Sequence, residues 1–490
     1  MKPMEQVLKG VSMKRILVIA SIVCLVHPIL AQGPQPHFHP KRVLFKLKRG
    51  TQVLAGLRQA VPRRAGKVLD VRRQRGTPPV VLAFCERNHL RRLKALKPDA
   101  GLTALPAGVE RIFFAEIESK FELQDVLSLL RSAPEVEYAE PDYVGYASGV
   151  RVQAGADAST IVPNDPQFVN QWGLKNNGQA FGGKAGKVGA DINIEPAWDV
   201  TTGSEDILLA VLDSGIPPAT PELSGRLLQG YDYVNDDPDP RDDLGHGTNV
   251  VSIAAATGNN GQGVAGVDWH CRILPMKVIN SNNFGFFSWW AAALVAAADS
   301  GANVINMSLG GTDPSQTLQD GVNFAVAHRA IVVASMMNIN SETPFFPAAY
   351  DNVIAVGATN NQDQRAVPFC FSSTSGSNFG NHIDFVAPGD WILGLDYRNP
   401  NDTNFWCGTS QATPMVSGVI TLLLSVNPDL TFDEVYNLLK SGAHDQIGPA
   451  AEDTPGWDKF YGWGRIDAGA TVAALVTSVA DERGAVPEGF

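Results

Sequence analysis

Five short segments in the second half of the chain are apolar at nearly every residue, and longer segments with helical spacing separate them. They span residues 207–212, 272–278, 303–307, 330–335 and 353–357. A strand without polar residues must be covered on both faces, and parallel strands are joined by long crossovers that are usually helices. The pattern therefore predicts a three-layer αβα domain around a doubly wound parallel sheet, with its ligand site at the carboxyl ends of the strands.

A second, smaller domain precedes this one, because 490 residues exceed the length of one ordinary domain. Residues 42–48 alternate apolar and polar side chains as a half-buried strand does, and residues 112–117 are a further strand candidate. Residues 123–130 carry apolar side chains at helical spacing. We expect a small α+β domain over residues 41–147.

The N-terminus has the pattern of a targeting signal. Lys14 and Arg15 precede an apolar run over residues 16–26, and small residues arrive at Ala31. These features predict a signal peptide over residues 1–31. Because the apolar run is short for a membrane span, export is favoured over a membrane anchor. We expect a secreted, periplasmic or cell-envelope protein that has no membrane association beyond the signal peptide.

Charge is distributed unevenly along the chain. Residues 33–150 hold 20 Lys/Arg against 12 Asp/Glu, a net charge of +8, whereas residues 151–490 hold 15 against 37, a net charge of −22. The basic part has no basic-aromatic motif that would indicate nucleic-acid binding. Complementarity between the two parts of the same chain is the simpler account, so no nucleic-acid partner is expected.

The cysteines allow one disulfide in the larger domain. Cys24 lies in the signal peptide and Cys85 in the small domain, which leaves Cys271, Cys370 and Cys407. Three thiols form at most one bridge and leave one thiol over. Export permits a disulfide, but the sequence does not say which two residues pair.

Three short motifs carry the groups that nucleophilic acyl transfer needs. Val-Leu-Asp-Ser-Gly-Ile, Gly-His-Gly-Thr and Gly-Thr-Ser-Gln-Ala-Thr-Pro contain Asp213, His246 and Ser410, respectively. A serine hydroxyl is a weak nucleophile at neutral pH, so it needs a base to take its proton and a carboxylate to orient that base. The motifs predict a catalytic triad in the order Asp, His, Ser.

These motifs, in this order, resemble the signatures of the subtilase family, of the thermitase and subtilisin type. The resemblance implies a monomeric serine endopeptidase that hydrolyses protein or peptide substrates through an acyl-enzyme. Residues 136–143 resemble the end of a subtilase propeptide, which assists folding and inhibits the enzyme until it is cleaved. The chain would then comprise a signal peptide (1–31), a propeptide (41–147), a linker (148–162), a subtilisin-like catalytic domain (163–475) and a C-terminal tail (476–490).

The resemblance also implies roles for residues outside the triad. Asn338 falls at the position of the side chain that donates to the oxyanion, and Asn340 is the competing candidate. Substrate-binding positions are Ser308, Leu309 and Gly310 at the edge that pairs with an extended substrate, Phe287 near the fourth pocket, and Met337 at the first pocket. Structural calcium is expected at Asp165, Glu222 and Asn260, with Glu222 standing where Asp is usual.

Four further residues depart from the family pattern. Met337 replaces the usual glycine and should narrow the first pocket, while Gln411, Met415 and Asn249 replace residues that flank the nucleophile and the histidine. These departures leave an alternative open, in which the chain is a catalytically impaired, exported binding protein on the same fold.

Overall fold

The structure is a computed structural model that describes residues 37–60, 68–71, 77–97, 105–152, 163–399 and 402–484. The signal peptide predicted at residues 1–31 and most of the predicted linker lie outside these residues. Residues 38–490 belong to one compact unit.

The N-terminal part is a small α+β domain, as predicted. Its strands are β1 (Phe38–Leu47), β2 (Leu69–Asp70), β3 (Leu90–Ala95), β4 (Ile112–Ile117) and β5 (Val136–Ala147), and its helices are α1 (Gln52–Ala60), α2 (Pro79–Arg87) and α3 (Leu123–Ser132). The strands pair antiparallel in the order β5-β1-β4-β3-β2. Phe45, Phe84 and Phe113 form the centre of its core. After β5 the chain continues into a short strand, β6 (Val150–Val152).

The larger part contains the remaining elements. Its strands are β7 (Ala180–Phe181), β8 (Lys184–Ala185), β9 (Leu208–Asp213), β10 (Tyr231–Asp232), β11 (Arg272–Lys277), β12 (Gly285–Phe286), β13 (Val304–Met307), β14 (Leu309–Gly310), β15 (Ile331–Ser335), β16 (Val353–Thr359), β17 (Phe385–Pro388), β18 (Ile392–Leu395) and β19 (Thr403–Cys407). Its helices are α4 (Glu195–Trp198), α5 (His246–Ala255), α6 (Phe287–Asp299), α7 (Gln316–Ala327), α8 (Thr409–Val426), α9 (Phe432–Gly442) and α10 (Ala468–Gly484).

The central sheet is parallel and doubly wound, which confirms the predicted fold class. Its seven strands lie in the order β10-β11-β9-β13-β15-β16-β17. The inner strand β9 shows why these segments are apolar throughout. Leu209 and Val211 pack on the layer that contains α5 and α8, whereas Leu208, Ala210 and Leu212 pack on the layer of α6 and α7. Truncating such a side chain to Ala costs about 2–5 kcal/mol of stability.

Three features complete the fold. Helix α8 is long and apolar enough to span a membrane, but 89% of it is buried inside the protein as a core helix. Cys370 and Cys407 form the disulfide, and Cys271 remains a buried free thiol. Helix α10 runs through residue 475, where the sequence predicts the end of the catalytic domain, and continues to Gly484.

Candidate active site

The three predicted triad residues come together at the carboxyl end of the sheet. Asp213 is the last residue of β9, His246 is the first residue of α5, and Ser410 lies in the first turn of α8. All three side chains are almost completely buried. Because Ser410 lies at the N-terminus of a helix, the positive end of the helix dipole favours negative charge beside it.

Hydrogen bonds assign the tautomer of His246. Its Nδ1 is 2.7 Å from Oδ1 of Asp213, which also accepts the backbone N–H of Ser214 at 2.7 Å. Since a carboxylate only accepts, Nδ1 carries the proton. Nε2 accepts the backbone N–H of Gly149 at 3.0 Å. The imidazole is therefore held as the neutral tautomer whose Nε2 lone pair can take a proton.

Asp242 supports this pair, although the sequence analysis did not single it out. Its carboxylate accepts the hydroxyl of Ser214 at 2.8 Å and the backbone N–H groups of Gly245 and Thr248 at 2.7 and 2.9 Å. These bonds tie the loop after β9 to the first turn of α5. The only signal in the sequence is one Asp in an acidic loop shortly before His246.

The chain that follows the N-terminal domain crosses the site as an extended strand. Tyr146 and Ala147, at the end of β5, pair antiparallel with Gly310 and Leu309 of β14. The backbone N–H of Ser148 then donates to the carbonyl of Ser308 at 3.2 Å. The predicted substrate edge, Ser308 to Gly310, is thus paired with a segment of the chain itself.

This strand brings the residues of the Ser148–Gly149 bond into contact with Ser410 and His246. The Oγ of Ser410 donates to the carbonyl of Ser308 at 2.9 Å and accepts the backbone N–H of Ser148 at 3.1 Å. The hydroxyls of Ser148 and Ser410 are also hydrogen-bonded to each other. The backbone N–H of Gly149, on the other side of the Ser148 carbonyl, donates to Nε2 of His246.

Asn338, rather than Asn340, contacts Thr409, the residue before Ser410. The Oδ1 of Asn338 accepts the backbone N–H of Thr409 at 2.9 Å, which orients its Nδ2 toward Gly408. A Cβ on Gly408 would lie 2.5 Å from the carbonyl oxygen of Ser148 and 2.8 Å from Nδ2 of Asn338, so both groups face the same side of Gly408. Asn340 instead accepts from the guanidinium of Arg365 at 2.7 Å.

Met337 is linked to the side chain of Ser148 through Ser335. It adopts a positive φ of 73°, which is uncommon for any residue other than Gly, and its side chain is buried. Its sulfur approaches Gly310 and lies 3.9 Å from the hydroxyl of Ser335. That hydroxyl is hydrogen-bonded to the hydroxyl of Ser148 at 2.9 Å. Ser335 thus contacts the side chain of Ser148 directly, and Met337 lies behind Ser335 and beside Gly310.

Phe287 is fully buried and stacks on Trp290 with ring centroids 4.8 Å apart. Gly145 is the fourth residue before the Ser148–Gly149 bond, counting Ser148 as the first. The ring that lies directly beneath it is that of Trp290, not that of Phe287, and a Cβ at position 145 would clash with the Trp290 ring. Phe287 instead approaches Gly311.

Two of the departures from the family pattern contact each other. The Nε2 of Gln411 on α8 donates to Oδ1 of Asn249 on α5 at 3.1 Å. Met415 is part of the hydrophobic core. The first two substitutions thus form a buried amide pair, and the third is accommodated by packing.

The three predicted metal ligands also come together. Asp165 accepts the backbone N–H of Asn259 at 2.6 Å, and Glu222 accepts Nδ2 of Asn260 at 2.7 Å. Burial raises the pKa of both carboxyls, and the charge of Asp165 raises the pKa of Glu222 further. Two adjacent carboxylates with an amide fit a hard cation such as Ca²⁺, provided that the Asn260 amide turns its oxygen toward the ion.

The comparisons with known proteins agree with this geometry. The subtilase family profile matches residues 204–464. A thermophilic serine proteinase of Bacillus sp. (strain AK1) is 37% identical over 354 residues, which cover 71% of this chain and 77% of that protein. An extracellular protease of Xanthomonas campestris pv. campestris is 30% identical over 463 residues, covering 85% and 68% of the two chains.

A solved structure extends the likeness in fold to most of the chain. The crystal structure of fervidolysin from Fervidobacterium pennivorans, a keratinolytic enzyme related to subtilisin, superposes with a TM-score of 0.63. It is 20% identical and covers 90% of this chain and 62% of that one. On the family match and the identity to the Bacillus enzyme, the chain belongs to the subtilase family of serine endopeptidases.

Proposed function

We propose that the protein is an exported serine endopeptidase, made as a zymogen, that first cleaves its own Ser148–Gly149 bond. One observation carries the proposal: of the two residues that this bond joins, Ser148 donates its backbone N–H to Oγ of Ser410 and Gly149 donates its backbone N–H to Nε2 of His246. The nitrogen of Gly149 would become the amine of the leaving product, and its N–H is already hydrogen-bonded to Nε2 of His246.

The chemistry follows from these positions. For attack, the hydroxyl of Ser410 turns from the carbonyl of Ser308 to Nε2 of His246, which takes its proton as Oγ bonds to the carbonyl carbon of Ser148. Asp213 stabilises the imidazolium that forms. The C–N bond then breaks as the same Nε2 proton passes to the nitrogen of Gly149. Water, activated by His246, hydrolyses the acyl-enzyme and regenerates Ser410.

Asn338 is proposed to stabilise the oxyanion in both steps. Its Nδ2 and the carbonyl oxygen of Ser148 face the same side of Gly408, and the N-terminus of α8 adds favourable partial charge. Loss of one such donor lowers turnover about 10²–10³-fold, a magnitude measured in subtilisin, a member of the same family.

The N-terminal domain is proposed to act as the inhibitory propeptide. Besides filling the substrate edge, it places two carboxylates on helix N-termini of the catalytic domain. Glu140 accepts the N–H groups of Gln316 and Thr317 at 2.9 Å each, and Asp142 accepts that of Ser288 at 3.0 Å. Anions are stabilised at such termini.

A buried ion pair adds to this interface. The ammonium of Lys46 lies 2.7 Å from the carboxylate of Asp320 on α7. The net charges of +8 and −22 on the two parts of the chain support binding that weakens as salt is added, whereas the buried pair of Lys46 and Asp320 is screened less. Salt-independent inhibition by the separate domain would contradict the role of charge.

Processing provides the test of the proposed function. Intact-mass measurements on the expressed chain should show two fragments, one ending at Ser148 and one beginning at Gly149. Ser410→Ala should stay uncut, whereas Ser425→Ala should be processed normally, because Ser425 lies on the same helix and bonds to the carbonyl of Leu422. Cleavage of Ser410→Ala at the same bond would refute the assignment of the nucleophile.

We further propose structural Ca²⁺ at Asp165, Glu222 and Asn260, where it would tie the start of the catalytic domain to two later loops. Export is supported by the signal-like N-terminus and by the extracellular relative in Xanthomonas. Proteins and peptides are the proposed substrates, and the mature enzyme is proposed to be a monomer.

A further inference from the structure

The chain beyond the Ser148–Gly149 bond is held by a second strand edge. Val150–Val152 pairs antiparallel with β19, with Val150 opposite Cys407 and Arg151 opposite Trp406. Since β19 leads directly into the helix of the nucleophile, a peptide that binds across the site is aligned on both sides of the bond. This register places Arg151 as the third residue after that bond.

The side chain of Arg151 donates hydrogen bonds to two polar side chains. Its Nη2 donates to Oδ2 of Asp396 at 3.0 Å and to Oδ1 of Asn404 at 2.8 Å. Charge-assisted bonds of this kind are stronger than neutral ones.

The two acceptors are themselves fixed. Nδ2 of Asn404 donates to Oδ2 of Asp396 at 2.7 Å. The backbone N–H of Arg398 donates to the other oxygen of Asp396, Oδ1, at 3.1 Å. Asp396 and Asn404 are each 8% exposed. In the described part of the chain, Arg151 is the ion-pair partner of Asp396. These exposures include the cover that the segment of Arg151 provides, and if the segment after Ser148 leaves, the carboxylate of Asp396 loses its ion-pair partner.

We propose that Asp396 and Asn404 form a subsite that binds a cationic side chain, arginine above all, at the third residue after the scissile bond of a substrate. The inference rests on the proposed function, because Arg151 marks this subsite only if the chain occupies the site as a substrate does. Arginine fits better than lysine, since a planar guanidinium presents several N–H donors in a fixed arrangement.

Peptides that differ at one position test the proposal on the mature enzyme. The series Gly-Tyr-Ala-Ser-Gly-Val-X-Gln, with X as Arg, Lys, Gln or Glu, keeps the residues around the bond constant. We expect kcat/KM for Arg to exceed that for Gln by about tenfold or more, as for a hydrogen bond to a charged group. Lys should fall between them and Glu should be lowest, and added NaCl should reduce the ratio of Arg to Gln.

Asp396→Asn should remove most of the preference for Arg over Gln. The matched control is Asp402→Asn on the same hairpin, because Asp402 is exposed and contacts Asp396 only through its backbone carbonyl. This control should keep the wild-type ratio. If Asp396→Asn does not fold, the peptide series on the unaltered enzyme still decides.

The proposed function and the subsite fail in different ways. If the proposed function is wrong, the peptides are not cut, or they are cut at another bond. If only the subsite is wrong, all four peptides are cut between Ser and Gly, but Arg and Gln are cut with equal kcat/KM. That second result overturns the subsite and leaves the triad assignment intact.

Discussion

Gly149→Ala is the substitution that most directly tests whether the Ser148–Gly149 bond is the one cleaved. A Cβ at this position would lie 2.6 Å from Nε2 of His246 and 2.7 Å from Nε2 of Gln411, whereas ordinary contacts begin at 3.4 Å. The φ angle of Gly149 is outside the left-handed region. An alanine is therefore compatible with the backbone here, and the contacts alone decide the effect.

The size of the effect follows from the movement that the methyl group requires. Relieving the contact with His246 needs a shift of about 0.8 Å, the difference between 2.6 and 3.4 Å. Such a shift would lengthen the 3.0 Å bond between the Gly149 N–H and His246. A misplacement of about 1 Å costs on the order of 100-fold in rate, which corresponds to about 2.7 kcal/mol of transition-state stabilisation.

The assay is the time course of self-cleavage after dilution from denaturant, followed by intact mass. Val150→Ala is the control, because it removes atoms one residue further along instead of adding them. We expect Gly149→Ala to be processed about 100-fold more slowly, with Val150→Ala close to wild type. Processing of Gly149→Ala between residues 148 and 149 at the wild-type rate would refute the geometry on which the proposed function rests.

Three further perturbations have defined outcomes. Met337→Gly should open the space beside Ser148 and raise kcat/KM for Phe relative to Ser before the scissile bond by about tenfold, since burying such a side chain is worth about 1.5–3 kcal/mol; an unchanged peptide-library profile would contradict this. Burial raises the pKa of Asp384 from 3.8 to about 6, so the folded state binds an extra proton between these pH values and loses stability as pH rises through them. Urea melts in the Ser410→Ala background should show Asp384→Asn gaining up to about 3 kcal/mol on the parent between pH 4 and 7, and parallel profiles would count against it. Ca²⁺ at a hundredfold excess over its Kd should raise the stability of the mature domain by about 2.7 kcal/mol, and melts with EGTA and with Ca²⁺ that coincide would remove the proposed site.

The sequence predicted the sheet because burial on both faces leaves a local signal in each strand. Residues 272–278 and 353–357, for example, lie within two residues of β11 and β16. The sequence pattern does not predict strands β10 and β17. β10 has two residues and β17 has four that end in Pro388, and strands this short show no periodicity. Each residue of the predicted triad has its own local signature in the sequence, and in the structure the three lie at a strand end or a helix start.

Contacts between distant segments left no comparable signal. The pairing of Cys370 with Cys407 was open, since three cysteines allow three pairings. The position of the Trp290 ring under Gly145, and the bond between Gln411 and Asn249, depend on how helices pack. The strand pairing of Val150–Val152 lies in a stretch with small, polar composition that predicts a linker. Each of these features is a contact between segments that are far apart in the sequence, so no local pattern could predict it.

The contacts on the two sides of the Ser148–Gly149 bond imply an order of events if that bond is cut. The pairing of β5 with β12 and β14 lies before the bond, as do the bonds from Glu140 and Asp142 to the helix N-termini and the ion pair of Lys46 with Asp320. None of these depends on the peptide link, so cleavage would leave the N-terminal domain in place, where we propose that it inhibits the enzyme. Residues 149–152, the part of the following chain that the structure describes, make fewer contacts: the bond of Gly149 to His246, a short pairing with β19 and the bonds of Arg151 to Asp396 and Asn404. The new N-terminus at Gly149 would therefore leave its side of the cleft first, and full activity would wait for the slower loss of the N-terminal domain.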